Sequence, residues 1–221
     1  DVDADGDLDV VSAWSIQGGS QGVSWYRNEN GAGSFSSRIT ISNAVNGVPS
    51  VYAGDLDGDG DMDVAAALSG DDKIVWYENT DGLGTFGTEQ VLSANADVAS
   101  RVRIADVDGD GDLDVIATSN DDDKITWFEN FDGAGNFGTE ILIDSYLGNM
   151  RSLHISDLDG DGDMDFLTAT DQGNNIKWYN NLDGLGNYSA YVITKHLGGG
   201  KAIFAEDLDG DGDKDILSAS N

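Results

Sequence analysis

Apolar residues along this chain come in short runs, many of them alternating with polar residues, and each run closes on glycine, aspartate or asparagine. SVYAG at 50–54, RVRIA at 101–105, SLHIS at 152–156 and AIFAE at 202–206 are one such set. Each is followed by an aspartate-rich segment and then by DVAAAL, DVIATS, DFLTAT or DILSAS. A tryptophan-bearing run comes next (VSWYRNEN, IVWYENTDGLGTF, ITWFENFDGAGNF, IKWYNNLDGLGNY), then a DGxG turn and a last run such as TEQVLS at 88–93 or TEILID at 139–144. Runs this short between turn formers predict β-strands, and none is long enough for a typical helix. The fold class is therefore all-β.

The pattern repeats. Trp25, Trp76, Trp127 and Trp178 recur every 51 residues, and the aspartate-rich segments start at 1, 55, 106, 157 and 207. The first interval is longer because SIQGGSQG stands where later copies have short SGDD-like turns. Four strands per repeat of this length is the size of a β-propeller blade. The single repeat domain, 1–221, divides into a partial blade at 1–47, blades at 48–98, 99–149 and 150–199, and a partial blade at 200–221. Seventeen strands are one more than a four-bladed ring uses, so an incomplete slice of a larger propeller is expected, with a five-bladed ring or an open solenoid as alternatives.

The aspartate-rich segments carry the candidate chemistry. They read DVDADGDLD, DLDGDGDMD, DVDGDGDLD, DLDGDGDMD and DLDGDGDKD. The aspartates are Asp1, Asp3, Asp5, Asp7 and Asp9; Asp55, Asp57, Asp59, Asp61 and Asp63; Asp106, Asp108, Asp110, Asp112 and Asp114; Asp157, Asp159, Asp161, Asp163 and Asp165; and Asp207, Asp209, Asp211, Asp213 and Asp215. Calcium takes six to eight oxygens, which a loop supplies from side chains at positions 1, 3 and 5, the carbonyl at 7 and a carboxylate at 9, with glycine at 6 for the reversal. Without a cation these carboxylates repel and raise one another's pKa. About four or five calcium ions per chain are expected. A solvated acidic linker is the plainer alternative, made less apt by five ordered copies.

Charge narrows the partners. Forty-two acidic against 11 basic side chains give −31, and five divalent ions would bring this only to −21, so the surface stays acidic. A nucleic-acid backbone is not an expected partner, because no basic face is available. There is no cysteine, and no apolar run of the length that crosses a bilayer. Permanent calcium loops suit the millimolar calcium outside cells, so an extracellular or cell-surface location is expected. With no leader visible and a proposed ligand as its first residue, the chain reads as a mature segment or a fragment.

The words DLDGDGDMDV and KIVWYENTDGLGTF, with their copies, make the whole chain resemble the bacterial FG-GAP/VCBS-type repeats related to the integrin alpha-chain propeller. Phe35, Phe86 and Phe137 match the phenylalanine of that family's turn region, with Tyr188 as a departure. The resemblance implies blades stiffened by calcium at one rim, and a role in extracellular adhesion or carbohydrate binding, sometimes beside enzyme domains. A binding or adhesion module for an extracellular glycan or protein is the expected function. A structural spacer or self-assembling surface-fibre subunit is the alternative, followed by a noncatalytic accessory domain of a secreted carbohydrate-active enzyme.

Five residues are candidate ligand contacts. Tyr52, Arg103, His154 and Phe204 share one phase of the strand that precedes each aspartate segment, the innermost strand in the family; local packing beside the axis would also account for them. Trp14 falls outside the 51-residue period and is a better candidate for an exposed binding residue than the periodic tryptophans, although core packing is the plainer reading of it too. For the periodic ones core packing with a satisfied indole N–H is expected, against a repeated sugar-stacking shelf. Asp71–Asp72 and Asp121–Asp123 read as solvated hairpins. No enzyme activity is expected: the carboxylates are periodic, His154 and His196 are the only histidines, and no nucleophile–base motif is present.

Overall fold

The computed structural model describes residues 1–15, 19, 21–145, 148–196 and 198–221, so most of the SIQGGSQG insert and Leu197 of the KHLGGG connector lie outside the described residues. These residues form seventeen strands and no helix. The first sheet holds β1 (Val10–Ser15), β2 (Gln21–Tyr26) and β3 (Ile39–Ser42). Three four-stranded sheets follow. They are β4 (Ser50–Gly54), β5 (Asp63–Leu68), β6 (Lys73–Tyr77) and β7 (Gln90–Ser93); β8 (Ala99–Ala105), β9 (Asp114–Ser119), β10 (Lys124–Phe128) and β11 (Ile141–Ser145); and β12 (Met150–Ser156), β13 (Asp165–Thr170), β14 (Ile176–Asn181) and β15 (Tyr188–Thr194). The last sheet pairs β16 (Gly200–Glu206) with β17 (Asp215–Ser220). Every pairing is an antiparallel meander, the blade of a propeller.

The core lies between successive sheets. β5, β9 and β13 are buried along their whole length, because both faces of these sheets are covered by neighbours. One cluster joins Leu56, Ala65 and Trp76 to Val102, Val115 and Phe128 of the next blade, and a second joins Ile116 and Trp127 to Leu153, Phe166 and Tyr179. Ala65 and Ala67 of β5 share the first of these clusters with Trp76 and Phe128, and Ala66 lies in another with Tyr77. Each fully buried Val, Leu, Ile or Phe in these seams stabilises the stack by about 1.5–3 kcal/mol.

The first strands of the blades, β4, β8, β12 and β16, pack side by side, and so form the inner edge of the array. The β5–β6 and β9–β10 turns are not simply solvated. Asp71 accepts the Asn46 backbone N–H (2.8 Å) and side-chain amide (2.7 Å), Asp72 accepts Val98 N–H (2.9 Å), and Asp123 accepts Gly148 N–H (3.1 Å). These aspartates cap the links between blades, satisfying amides that short connections leave free.

Candidate metal centres

Each aspartate segment is the hairpin loop between the first two strands of a blade, except that the first copy leads directly into β1. The position-1 carboxylate folds the loop around itself. Asp55 accepts the N–H groups of Gly58 (2.8 Å) and Gly60 (3.0 Å), and Asp106, Asp157 and Asp207 do the same for their own glycines. Both glycines take positive φ, +72° at Gly58 and +97° at Gly60. In the first copy Ala4 holds the earlier position at +56°, a conformation that glycine adopts at lower cost.

The position-9 carboxylate is a latch. In the second blade Asp63 is fully buried, with one oxygen accepting Leu56 N–H (2.8 Å) and the other Asn79 N–H (2.8 Å). Asp9, Asp114 and Asp165 repeat both bonds. Asp63 thus ties the start of its loop to the end of the tryptophan strand, and burial pushes its pKa up to about 7 against the pull of those two amides; Asp114 behaves alike.

Three carboxylates converge in every copy, with ligand oxygens within 4.8 Å of one another: Asp1, Asp3 and Asp5; Asp55, Asp57 and Asp63; Asp106, Asp108 and Asp114; Asp157, Asp159 and Asp161; Asp207, Asp209 and Asp215. Burial, then the neighbouring carboxylates, raise the pKa of Asp57 and Asp108. Oδ1 of Asp3 and of Asp108 is buried with no hydrogen-bond partner. An orphaned buried carboxylate oxygen facing other carboxylates, in an all-oxygen donor set, fits a hard divalent cation. The position-7 side chains point elsewhere: those of Asp7, Asp61, Asp112 and Asp163 each lie over a turn glycine of their own blade, Gly31, Gly82, Gly133 and Gly184.

One contributor escapes a reading of the aspartate segments alone. The residue after the aromatic pair of each tryptophan strand faces the loop, and it varies: Arg27, Glu78, Glu129 and Asn180. Arg27 bridges Asp3 (2.7 Å) and Asp5 (3.0 Å), and its hydrogen bond holds the Asp5 carboxyl below its usual range. Asn180 donates to Asp159 (2.6 Å), whereas burial and the charges of Asp108 and Asp110 raise the pKa of Glu129. The next residue was missed as well. Asn79, Asn130 and Asn181 donate their side-chain amides at 2.8 Å to the carbonyls of Val2, Leu56 and Val107 in the preceding blade. The signal was present in the recurring WYxN and WFxN, but its partners lie in another repeat.

Trp25, Trp76 and Trp127 are core residues, as expected, and Trp178 is half-buried. The expected satisfaction of their indole N–H groups holds for Trp178, which donates to Asp165 (3.0 Å), but fails for Trp25 and Trp127, whose buried Nε1 atoms have no partner. Trp14 is half-buried over Gly22, with the Arg38 guanidinium 3.8 Å from its ring centre, so it is not a bare platform. Tyr52, Arg103, His154 and Phe204 occupy register-equivalent positions on the four inner strands.

The FG-GAP-like repeat profile matches residues 1–66, 59–117, 106–168 and 157–218. The chain belongs to the FG-GAP-like repeat family. No curated protein matches it. Among solved structures, this FG-GAP repeat chain is similar to an Agrocybe aegerita lectin described as recognising non-reducing terminal N-acetylglucosamine, at 21% identity and a TM-score of 0.61, over 96% of this chain and 60% of that one. It is also similar to an auxiliary nutrient binding protein from Bacteroides ovatus (12% identity, TM-score 0.62, 100% and 58% covered) and to the intramolecular trans-sialidase from Ruminococcus gnavus (14%, 0.59, 90% and 46%). The FG-GAP repeats therefore build a β-propeller-like fold, and they span about 60% or less of each of these relatives.

Proposed function

We propose that this FG-GAP repeat chain is a calcium-stabilised, noncatalytic binding module of an extracellular or cell-surface protein, and that its partner is a glycan. The observation that carries the metal assignment is the buried, partnerless Oδ1 of Asp108 inside a three-carboxylate cluster that recurs in all five loops. Position-1, position-3 and position-5 aspartates, with the position-9 latch, would hold the ion. Calcium bound there cancels repulsion that the amide hydrogen bonds alone leave in place, and ties each loop to its tryptophan strand. The glycan assignment is supported by the fold shared with a lectin and a nutrient-binding protein.

Calcium titration of chelator-treated protein by calorimetry, with thermal melts in parallel, tests the first part. Saturable binding of several ions with a clear rise in melting temperature is expected, and no binding sinks the assignment. A glycan array probed in calcium tests the second, and silence across the array removes the glycan reading.

A further inference from the structure

The inner edge of the blades carries a charge that the rest of this acidic chain does not explain. With 42 carboxylates against 11 basic groups, seven of the 11 cations have a carboxylate within 4.0 Å among the described residues. Arg27, Lys73, Arg151 and Lys177, for example, each reach one within 3.0 Å. Yet among the described residues neither Arg101 nor Arg103 on β8 has a carboxylate within 4.0 Å. Both are half-buried on the same phase of the strand. Arg101 spends donors on the backbone carbonyls of Ser100 and Arg151, and Arg103 spends one on Val102, 2.7 Å away. The remaining Arg103 donors have no acceptor among the described residues.

Aromatic rings flank this guanidinium. Arg103 stands 5.3 Å from the ring centre of Tyr52 on β4, and on the other side His154 of β12 packs on Phe204 of β16 with ring centres 4.6 Å apart. Tyr52 and Phe204 are exposed, 41% and 49%, and Nε2 of His154 is buried without a partner. Glu206, whose charge reaches His154, is held by Lys214 at 3.2 Å. A half-buried guanidinium without a counter-ion is costly to keep, and a planar fork of free N–H donors matches a carboxylate in two-point geometry. Aromatic faces beside it suit the C–H face of a pyranose.

We infer that the inner edge of the blades, centred on Arg103 and flanked by Tyr52, His154 and Phe204, is a subsite for a sugar that bears a carboxylate, a uronic or sialic-type acid. This rests on the glycan reading above and narrows it to acidic sugars. The chain's net charge opposes an anion at long range, but a Debye length of about 8 Å at physiological salt screens the distant carboxylates more than a direct contact. The site therefore binds in 0.15 M salt through short-range pairing and not through steering.

The test is titration of the calcium-loaded chain with methyl glycosides of galacturonate, glucuronate and N-acetylneuraminate, beside methyl galactoside, methyl glucoside and sodium sulfate at matched ionic strength. At least one acidic glycoside is expected to bind tenfold or more tighter than the neutral sugars and sulfate. Arg103→Gln should abolish that advantage without altering calcium stoichiometry. Acidic sugars binding no better than neutral ones, sulfate binding equally well, or an unchanged Arg103→Gln variant would each overturn the subsite. Neutral glycans bound equally by the wild type and Arg103→Gln would overturn it while leaving the lectin-like module standing, whereas no glycan bound at all removes both. A second readout needs no ligand: Arg103→Met should raise the melting temperature, because it deletes an unpaired charge, and a fall would contradict the electrostatic premise.

Discussion

Trp76 lies against Gly135 at the seam between the second and third blades, where a Cβ on the glycine would come within 2.8 Å of two ring carbons. Trp127 meets Gly186 in the same way one blade on, with the added Cβ 2.6 Å from the ring. The glycine of each DGxG turn therefore serves two needs, a positive φ for its own turn and a bare surface for the preceding blade's tryptophan.

These two needs can be separated. Gly33 occupies the matching turn position of the first module at φ +84°, with nothing within 4 Å of an added Cβ, while Gly135 has φ +71°. Gly33→Ala should cost only backbone strain. Gly135→Ala should cost about 1–3 kcal/mol more, the range for overpacking a filled core. Urea melts of both variants in calcium measure the difference, and equal losses would show that the tryptophan seam tolerates the methyl.

Position 9 and position 3 of the loop should respond differently to mutation. Asp63→Ala strands the buried N–H groups of Leu56 and Asn79, each costing about 1–3 kcal/mol, so it should destabilise the protein with calcium or with chelator. Asp57→Asn removes a carboxylate whose pKa is raised by burial and by Asp59, so it should weaken calcium binding yet leave the chelated protein at least as stable as the wild type. Paired thermal melts in calcium and in chelator check both. A chelated Asp57→Asn protein that melts well below wild type would mean that Asp57 supports the loop without the ion.

Much of this was legible in the chain. Alternating runs and the Trp25–Trp178 period locate the strands and their grouping, because strand pairing within a blade is local and its pattern is written in consecutive residues. The convergence of Asp55, Asp57 and Asp63 was legible for the same reason. What could not be read lies between repeats. Asn130 finds its acceptor at Leu56, in another module, and Trp76 finds its glycine likewise. Asp71 looked like a solvated turn because its partner, Asn46, belongs to the preceding link. Arg103 was picked out by strand phase, but its lack of a carboxylate partner in so acidic a protein is visible only in three dimensions.

Acid should weaken the seam between the third and fourth blades. Asp144 on β11 accepts hydrogen bonds from Tyr179 Oη (2.7 Å) and Lys177 Nζ (2.9 Å) on β14. Burial alone would raise its pKa, but these donors and Ser145 N–H outweigh it and hold the pKa below the usual value of 3.8. A depressed carboxylate stabilises the fold fully above the unfolded-state pKa and loses that contribution as pH falls through the lower folded value. Asp144→Asn should therefore lower the melting temperature at pH 6, and the gap to wild type should close as the pH falls below about 4. A gap that stays constant down to pH 3 would mean that the charge on Asp144 does not matter.

The five loops should not bind calcium equally, and Arg27 is the reason for the weakest among the first four. Its guanidinium already sits on Asp3 and Asp5, an internal cation that calcium must displace, where Glu78 and Glu129 add negative charge beside the second and third loops. Two loops should therefore fill at lower calcium than the first. Arg27→Glu should raise the affinity of the first loop by about tenfold or more, the change expected when about 1.4 kcal/mol of local electrostatics is reversed. In the chelated protein the same substitution should destabilise the first module, because Asp3 and Asp5 lose their only guanidinium partner. Calorimetry resolved into strong and weak classes, run on wild type and Arg27→Glu, decides it. If the number of strong sites is unchanged in the variant, Arg27 does not compete for the loop.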